Sequence, residues 1–309
     1  MVTYIQVYFF DVENPNEIVN GAKPLVKEKG PYVYKQYRKK TIKSIDENED
    51  TISYTQREIF EFDAEASGNF SDEDYVTILN TPMNSILQIA EKYGHQIIKL
   101  LANCLNDIFN QMGTVFVKVR VKDILFDGVQ FCVPHSSLCA LQQTLVCNVA
   151  AKKKNVDKLQ NNSLQFSFFN YKARSDDGLY TVKRGIQNIQ TLGHIVKLNN
   201  STRTNFWQRL GPNSVCDKVE GTDSTLYPPE ISRDSVFKIY STDICRDNID
   251  GIEPHEDLHR TYLIVEPETG TPLEGMKRIQ INAVLRPVGN INLMKHLPRV
   301  VLPLLWIEE

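Results

Sequence analysis

The first fifth of the chain alternates between apolar and polar residues with a period of two, the pattern of strands with one face on a core. Residues 3–10 (TYIQVYFF) read as one strand. Asn14-Pro15 reads as a helix cap with proline at the first helical position, and Gly21 as the stop. The runs 25–28 and 32–37 flank a breaker, Gly30-Pro31. Residues 51–62 (TISYTQREIFEF) alternate throughout, as one long strand or a bent pair. The acidic IDENEDT before them is a solvated turn.

Over 82–110 the period changes. Ile86, Ala90, Tyr93, Ile97, Leu101, Cys104 and Ile108 recur at spacings of three and four, and Leu87, Ile98, Leu105 and Phe109 widen the stripe. This predicts an amphipathic helical hairpin or a long broken helix, with Pro82 at its start and Gly94 at the break. Short strands return at 116–120, 164–169, 179–183, 194–198, 236–240, 262–266, 278–285 and 300–306. Turn clusters such as SDDG and LNNST separate them. There is no internal repeat and no domain boundary. Many strands around one helical insertion predict a mainly β protein with some α, built as a large closed or strongly curled antiparallel sheet. An open sheet of that size would expose its edges.

Charge and composition narrow the function. The 35 Lys+Arg against 38 Asp+Glu give −3, which lacks the concentrated positive charge of a nucleic-acid surface. The one basic run, Lys152-Lys153-Lys154, reads as a solvated loop. No stretch reaches the ~18 apolar residues of a membrane-spanning helix. The first residues lack the basic, apolar and small-residue regions of a signal peptide. Taken alone, these features predict a soluble chain without an export route. Glycosylation acceptors at Asn69, Asn161, Asn199 and Asn200 point the other way, with the last two overlapping.

The 6 cysteines include no CxxC pair, which removes zinc ribbons and thioredoxin-type redox centres. Cys132, Cys139 and Cys147 cluster closely enough for one local bridge, and Cys104, among Leu101, Leu105 and Ile108, reads as a buried free thiol.

The sharpest enzyme-like signal is His255-Glu256-Asp257-Leu258-His259, a literal HExxH. A zinc hydrolase needs both histidines one turn apart on a helix, with a third ligand elsewhere. Pro254 and the strand starting near Thr261 leave barely two turns, and Glu274 is the only nearby third ligand. DNIDGIEPHED imitates a calcium loop, but Arg246 stands where its first Asp belongs. Neither is a working site, so the expectation is a non-enzyme without metal or cofactor.

Three stretches carry a specific resemblance: VYFFDVENPNEIVNGAKPLVKEKGPYVYK, CDKVEGTDSTLYPPEISRDSVFKIYSTDICR and HRTYLIVEPETGTPLEGMKRIQINAVLRP. Together they resemble the ectodomain of the class B scavenger receptor family. TVKRGIQNIQTLGHIVKLNN and the ending VLPLLWIEE are most similar to its insect sensory neuron membrane proteins. The resemblance implies a β-barrel ectodomain over 1–309 with a helical apex at about 82–112, a ligand-capturing surface there and an apolar tunnel. It implies a lipophilic partner such as a fatty-acid-derived pheromone, passed toward a membrane or an odorant receptor complex. A general scavenger, lipoprotein or lysosomal trafficking receptor is the alternative within the family. Periodicity and resemblance together select Ile86, Tyr93, Ile97 and Leu101 as ligand contacts, with Lys92 or Lys99 as carboxylate partners.

The chain also departs from the family. Both membrane helices are absent, and the S-T-D-I-C-R block joins directly at Arg246/Asp247 to the stretch before His259. Relatives carry a cysteine-rich loop and further strands there, so an internal deletion is expected. By resemblance, Cys216 and Cys245 would be bridged to cysteines within that missing segment.

Overall fold

A computed structural model describes residues 2–109, 113–135, 138–204, 217–223, 248–266, 268–289 and 291–309. Its spine is the first predicted strand, β1 (Val2–Val12), whose inward side chains Ile5, Val7 and Phe9 are at most 5% exposed. The chain then forms α1 (Pro15–Ile18), β2 (Val26–Asp46), β3 (Thr51–Phe62) and β4 (Tyr75–Leu79). The helical insertion follows as α2 (Thr81–Glu91), α3 (His95–Ala102) and α4 (Leu105–Phe109). Next come β5 (Phe116–Arg120), β6 (Val129–Phe131), α5 (Ala140–Ala150), β7 (Val156–Lys158) and β8 (Leu164–Phe166). After α6 (Asn170–Arg174), β9 (Leu179–Lys183) and β10 (Ile195–Leu198), the last portion holds α7 (Glu256–His259), β11 (Tyr262–Val265), β12 (Pro272–Met276), β13 (Arg278–Leu285) and β14 (Val300–Glu308).

Seven strands form one antiparallel sheet in the order β10-β9-β3-β2-β1-β14-β13. It curls into an open half-barrel, an incomplete version of the predicted closed sheet. Aromatic side chains fill its inner face: Phe9 meets Tyr32 edge-on at 5.9 Å, and Tyr34 packs against both Phe62 and Phe126.

The expected break at Gly30-Pro31 is no break. β2 runs through it unbroken, while the register with β1 shifts between Val7 and Phe9. Gly30 has φ +149°, and a Cβ there would sit 2.7 Å from the Val7 carbonyl oxygen. Glycine therefore lets the two strands stay in contact through a bulge that a side chain would wedge apart.

The segment imitating a calcium loop is a structural clasp. Asp250 bridges Leu25 in parallel, with Val26 N–H donating to Asp250 O at 3.0 Å and Asp250 N–H to Pro24 O at 2.9 Å. The Asp250 carboxylate is taken by Lys23 at 2.6 Å, and Ile249 is buried. The strand expected at 236–240, Cys216, Cys245 and the 246/247 junction lie outside the described residues.

Side chains cap both ends of the β13 edge. The Thr261 hydroxyl serves both the N–H and the carbonyl of Arg278, and the Asn84 and Gln88 amides donate to Val284 O at 3.1 and 2.8 Å.

Candidate ligand site at the helical apex

The apex begins where β4 ends. The Asn80 side chain accepts a hydrogen bond from Met83 N–H at 3.2 Å, closing the first turn of α2, and donates to Thr114 O at 3.1 Å. Pro82 occupies a first-turn position, where the missing N–H costs nothing. Asn80→Ala removes the cap and strands the Thr114 carbonyl, so it is expected to lower unfolding free energy by about 1–2 kcal/mol in a denaturant titration.

Gly94, at φ +111°, separates α2 from α3. The inward faces are Met83, Leu87 and Ala90 on α2, Ile98 and Leu101 on α3, and Leu105, Ile108 and Phe109 on α4. Of the six contact residues selected from the sequence, Lys92, Tyr93, Ile97 and Lys99 are exposed, and Ile86 is half-buried against the core. Leu101 is 5% exposed and belongs to the core, while Leu100 beside it is 55% exposed and points outward. The outward apolar row is thus Ile89, Tyr93, Ile97 and Leu100. A spacing of four runs from Ile97 to Leu101, whereas α3 turns Ile98 and Leu101 inward and Ile97 and Leu100 outward.

Beside this row, Lys99, Ala102, Asn103 and Leu105 face Ile291, Asn292 and Leu293 across a cleft of about 400 Å³. Its lining is mixed, four apolar side chains with one ammonium and two amides, a combination that can take an apolar chain with a polar head. A second cleft, of about 490 Å³, lies along β2, β3 and β9 and is lined by charges. Most are already paired, Lys172 with Glu58 at 2.7 Å and Lys40 with Asp223 at 2.9 Å. Deeper in, the apolar space among Leu79, Phe109, Ile124, Phe131 and Phe166 is about 10 Å³, room for one water at most.

Two disulfides fasten the apex, Cys104–Cys139 and Cys132–Cys147. Cys104 is buried, as expected, but it is bonded rather than free. The bridges hold α5, a helix absent from the sequence-based reading. His135 lies next to them. Its hydrogen bond with Val133 O, helped by Asp107 at 3.5 Å, raises the imidazole pKa above its ordinary value. Lys152, Lys153 and Lys154 follow α5 as an exposed turn.

The HExxH segment forms a single helical turn. His259 Nδ1 lies 2.9 Å from both the backbone N and O of His255, and the imidazole meets Trp306 edge-on at 5.3 Å. Glu274 is held by the Tyr262 hydroxyl. One imidazole nitrogen is therefore committed to the backbone, and no third ligand converges on the pair among the described residues.

Among the glycosylation acceptors, Asn69 and Asn200 are exposed, and Asn161 Oδ1 accepts from its own sequon's Ser163. Asn199 Oδ1 is bound by Leu179 N–H at 2.9 Å.

The described residues thus form an open antiparallel half-barrel capped by a small helical bundle. Comparison with known proteins identifies it: the model of the CD36 family matches in two stretches, residues 1–248 and 246–309, and the chain belongs to that family. Sensory neuron membrane protein 2 of Anopheles gambiae is 27% identical over 98% of this chain and 75% of its own length. The Heliothis virescens protein of that name is 28% identical, covering 98% and 74% respectively. Sensory neuron membrane protein 1 of Manduca sexta is 27% identical over 98% of this chain and 71% of its own length. The Anopheles alignment extends over 438 positions, whereas this chain has 309 residues. No helix among the described residues is long and apolar enough to cross a membrane.

Proposed function

We propose that this chain is the extracellular, ligand-capturing part of a receptor of the class B scavenger type, anchored through membrane helices outside these 309 residues. It takes up a lipophilic molecule and passes it on without chemical change. The observation that carries this reading is the outward row Ile89, Tyr93, Ile97 and Leu100, flanked by Lys92 and Lys99 and bordering the apex cleft. Apolar side chains presented in this way gain about 25 cal/mol per Å² when a lipid covers them, and either lysine can pair with a carboxylate head.

The names of the relatives support a sensory neuron role, with a fatty-acid-derived pheromone as ligand and an odorant receptor complex as recipient. In that reading the ligand passes through an internal tunnel of the complete barrel. The two family matches meeting at 246–248 support a missing internal segment at 246/247, which would supply the remaining strands and the partners of Cys216 and Cys245. Asn69, Asn161 and one of the overlapping pair Asn199 and Asn200 are the proposed glycan sites.

The test is binding of a fluorescent fatty-acid analogue by fluorescence polarisation. Tyr93→Ser with Ile97→Ser is expected to raise Kd about tenfold or more, the worth of one buried apolar side chain. An unchanged Kd in a protein with native circular dichroism would overturn the site. Lys99→Gln should weaken the acid but not the matching alcohol.

A further inference from the structure

The two walls of the apex cleft are built differently. One is the segment 291–293, pinned from behind by Ile291 and Met294, which are 1 and 0% exposed, and tightened by the Met294 N–H donating to Ile291 O at 2.9 Å. The other wall, Lys99, Ala102, Asn103 and Leu105, spans the joint between α3 and α4. These helices have eight and five residues, too short to be stable alone, so whatever grips the joint sets their mutual angle. Cys104 is the middle of that joint. Its neighbours on either side, Asn103 and Leu105, line the cleft, whereas Cys104 is 3% exposed and bonded to Cys139.

Cys139 stands at the N-cap of α5. One turn further on, the Gln143 N–H donates to Cys139 O at 2.8 Å, and its side chain donates to Asp107 O of α4 at 3.1 Å. The first turn of α5 thus braces the cleft wall twice, covalently at the joint and by a hydrogen bond on α4. The second bridge, Cys132–Cys147, ties the end of β6 to the last turn of α5. Among the described residues, neither of its cysteines nor any residue next to them lines the cleft.

We infer that Cys104–Cys139 is a positioning bond for the ligand cleft, setting the angle of α3 against α4 and hence the width between the walls, while Cys132–Cys147 serves the fold alone. The inference rests on the reading that this cleft takes up the lipophilic ligand. Cys104 is not part of the lining and acts through Asn103 and Leu105. A wall already held in its bound geometry has less freedom to lose when a ligand enters, and that saving appears as affinity.

The experiment measures binding of dansyl-aminoundecanoic acid to the whole chain, together with Tm and amide hydrogen exchange at residues 99–105. Two variants are compared, Cys104→Ser with Cys139→Ser and Cys132→Ser with Cys147→Ser. Each removes one cross-link and should lower Tm. Only the first is expected to raise Kd, about five- to tenfold, and to speed exchange at residues 99–105. Equal rises in Kd from both variants, or a rise from neither, overturn the inference. If the natural chain does not bind the probe, the proposed ligand site fails by itself. The exchange comparison then decides whether the bond holds the wall, and equal exchange in the two variants shows that it does not. Should Cys104→Ser with Cys139→Ser not fold, the natural chain is treated briefly with a phosphine reductant and alkylated. The same exchange is then compared between molecules with one bridge opened and molecules with the other, and equal exchange again sinks the inference.

Discussion

Gly251→Ala is expected to destabilise the chain by about 2–4 kcal/mol in a denaturant titration, enough to consume a large share of a typical domain's stability. Gly251 has φ +88°, and a Cβ built there would lie 1.8 Å from the Val26 carbonyl oxygen. That oxygen belongs to backbone fixed on both sides, by the β1 pairing of Val26 and by its N–H bond to Asp250, so it has no room to retreat. The clasp must open instead, releasing Ile249 from the core and separating Lys23 from Asp250. Gly94 supplies the control. Its φ is +111° but no atom lies within 4 Å of its would-be Cβ, so alanine there carries only the backbone strain, about 1 kcal/mol. Equal losses at the two positions would show that the clasp contributes nothing.

Phe9→Ala should cost about 3–5 kcal/mol, the range for emptying a buried phenylalanine site. Phe9 is 0% exposed in the central strand, and its ring meets Tyr32 edge-on. Strands on both sides fix its surroundings, with β1 paired to β14 at Phe9–Leu305 and to β2 at Phe9–Lys29, so the cavity cannot collapse. Phe9→Leu, which keeps most of the volume, should lose less than half as much. A loss under about 1 kcal/mol for alanine would mean that the sheet relaxes around the gap.

The parts of the fold legible in the sequence are those whose burial follows one regular period. β1 buries alternate residues and was visible as such, β14 was expected at 300–306 although it buries five residues in succession, and the apex helices announced themselves through Leu87, Ile98 and Ile108. β2 was half legible: its alternation is plain on either side of Gly30-Pro31, but only the pairing with Val7 shows that glycine carries the strand onward. β6 and β7 have three residues each and exist because β8 lies between them, a long-range cause that leaves no local pattern. α5 was missed for the opposite reason. Its leucines do recur at helical spacing, but they face outward, and the helix is held by two disulfides and the Gln143 hydrogen bonds to distant backbone.

Of the candidate contact residues, the sequence pattern anticipated exposure for some and not for others. The lysines, Tyr93 and Ile97 are where the periodicity put them, while Leu100 replaces Leu101 on the outer surface. His255 and His259 matched a motif in sequence, but a motif supplies no coordination geometry, and the structure shows a single turn with His259 Nδ1 bound to the His255 backbone.

The capped edge of β13 governs how an incomplete barrel behaves in solution. IQINAVL within β13 carries no charge and no proline, the composition of a segment that recruits other chains into fibrils. With Thr261 occupying Arg278 at one end and Asn84 and Gln88 occupying Val284 at the other, the open stretch between them is shorter than the six or seven residues such stacking uses. Three polar side chains thus act as gatekeepers that limit templated aggregation at this edge.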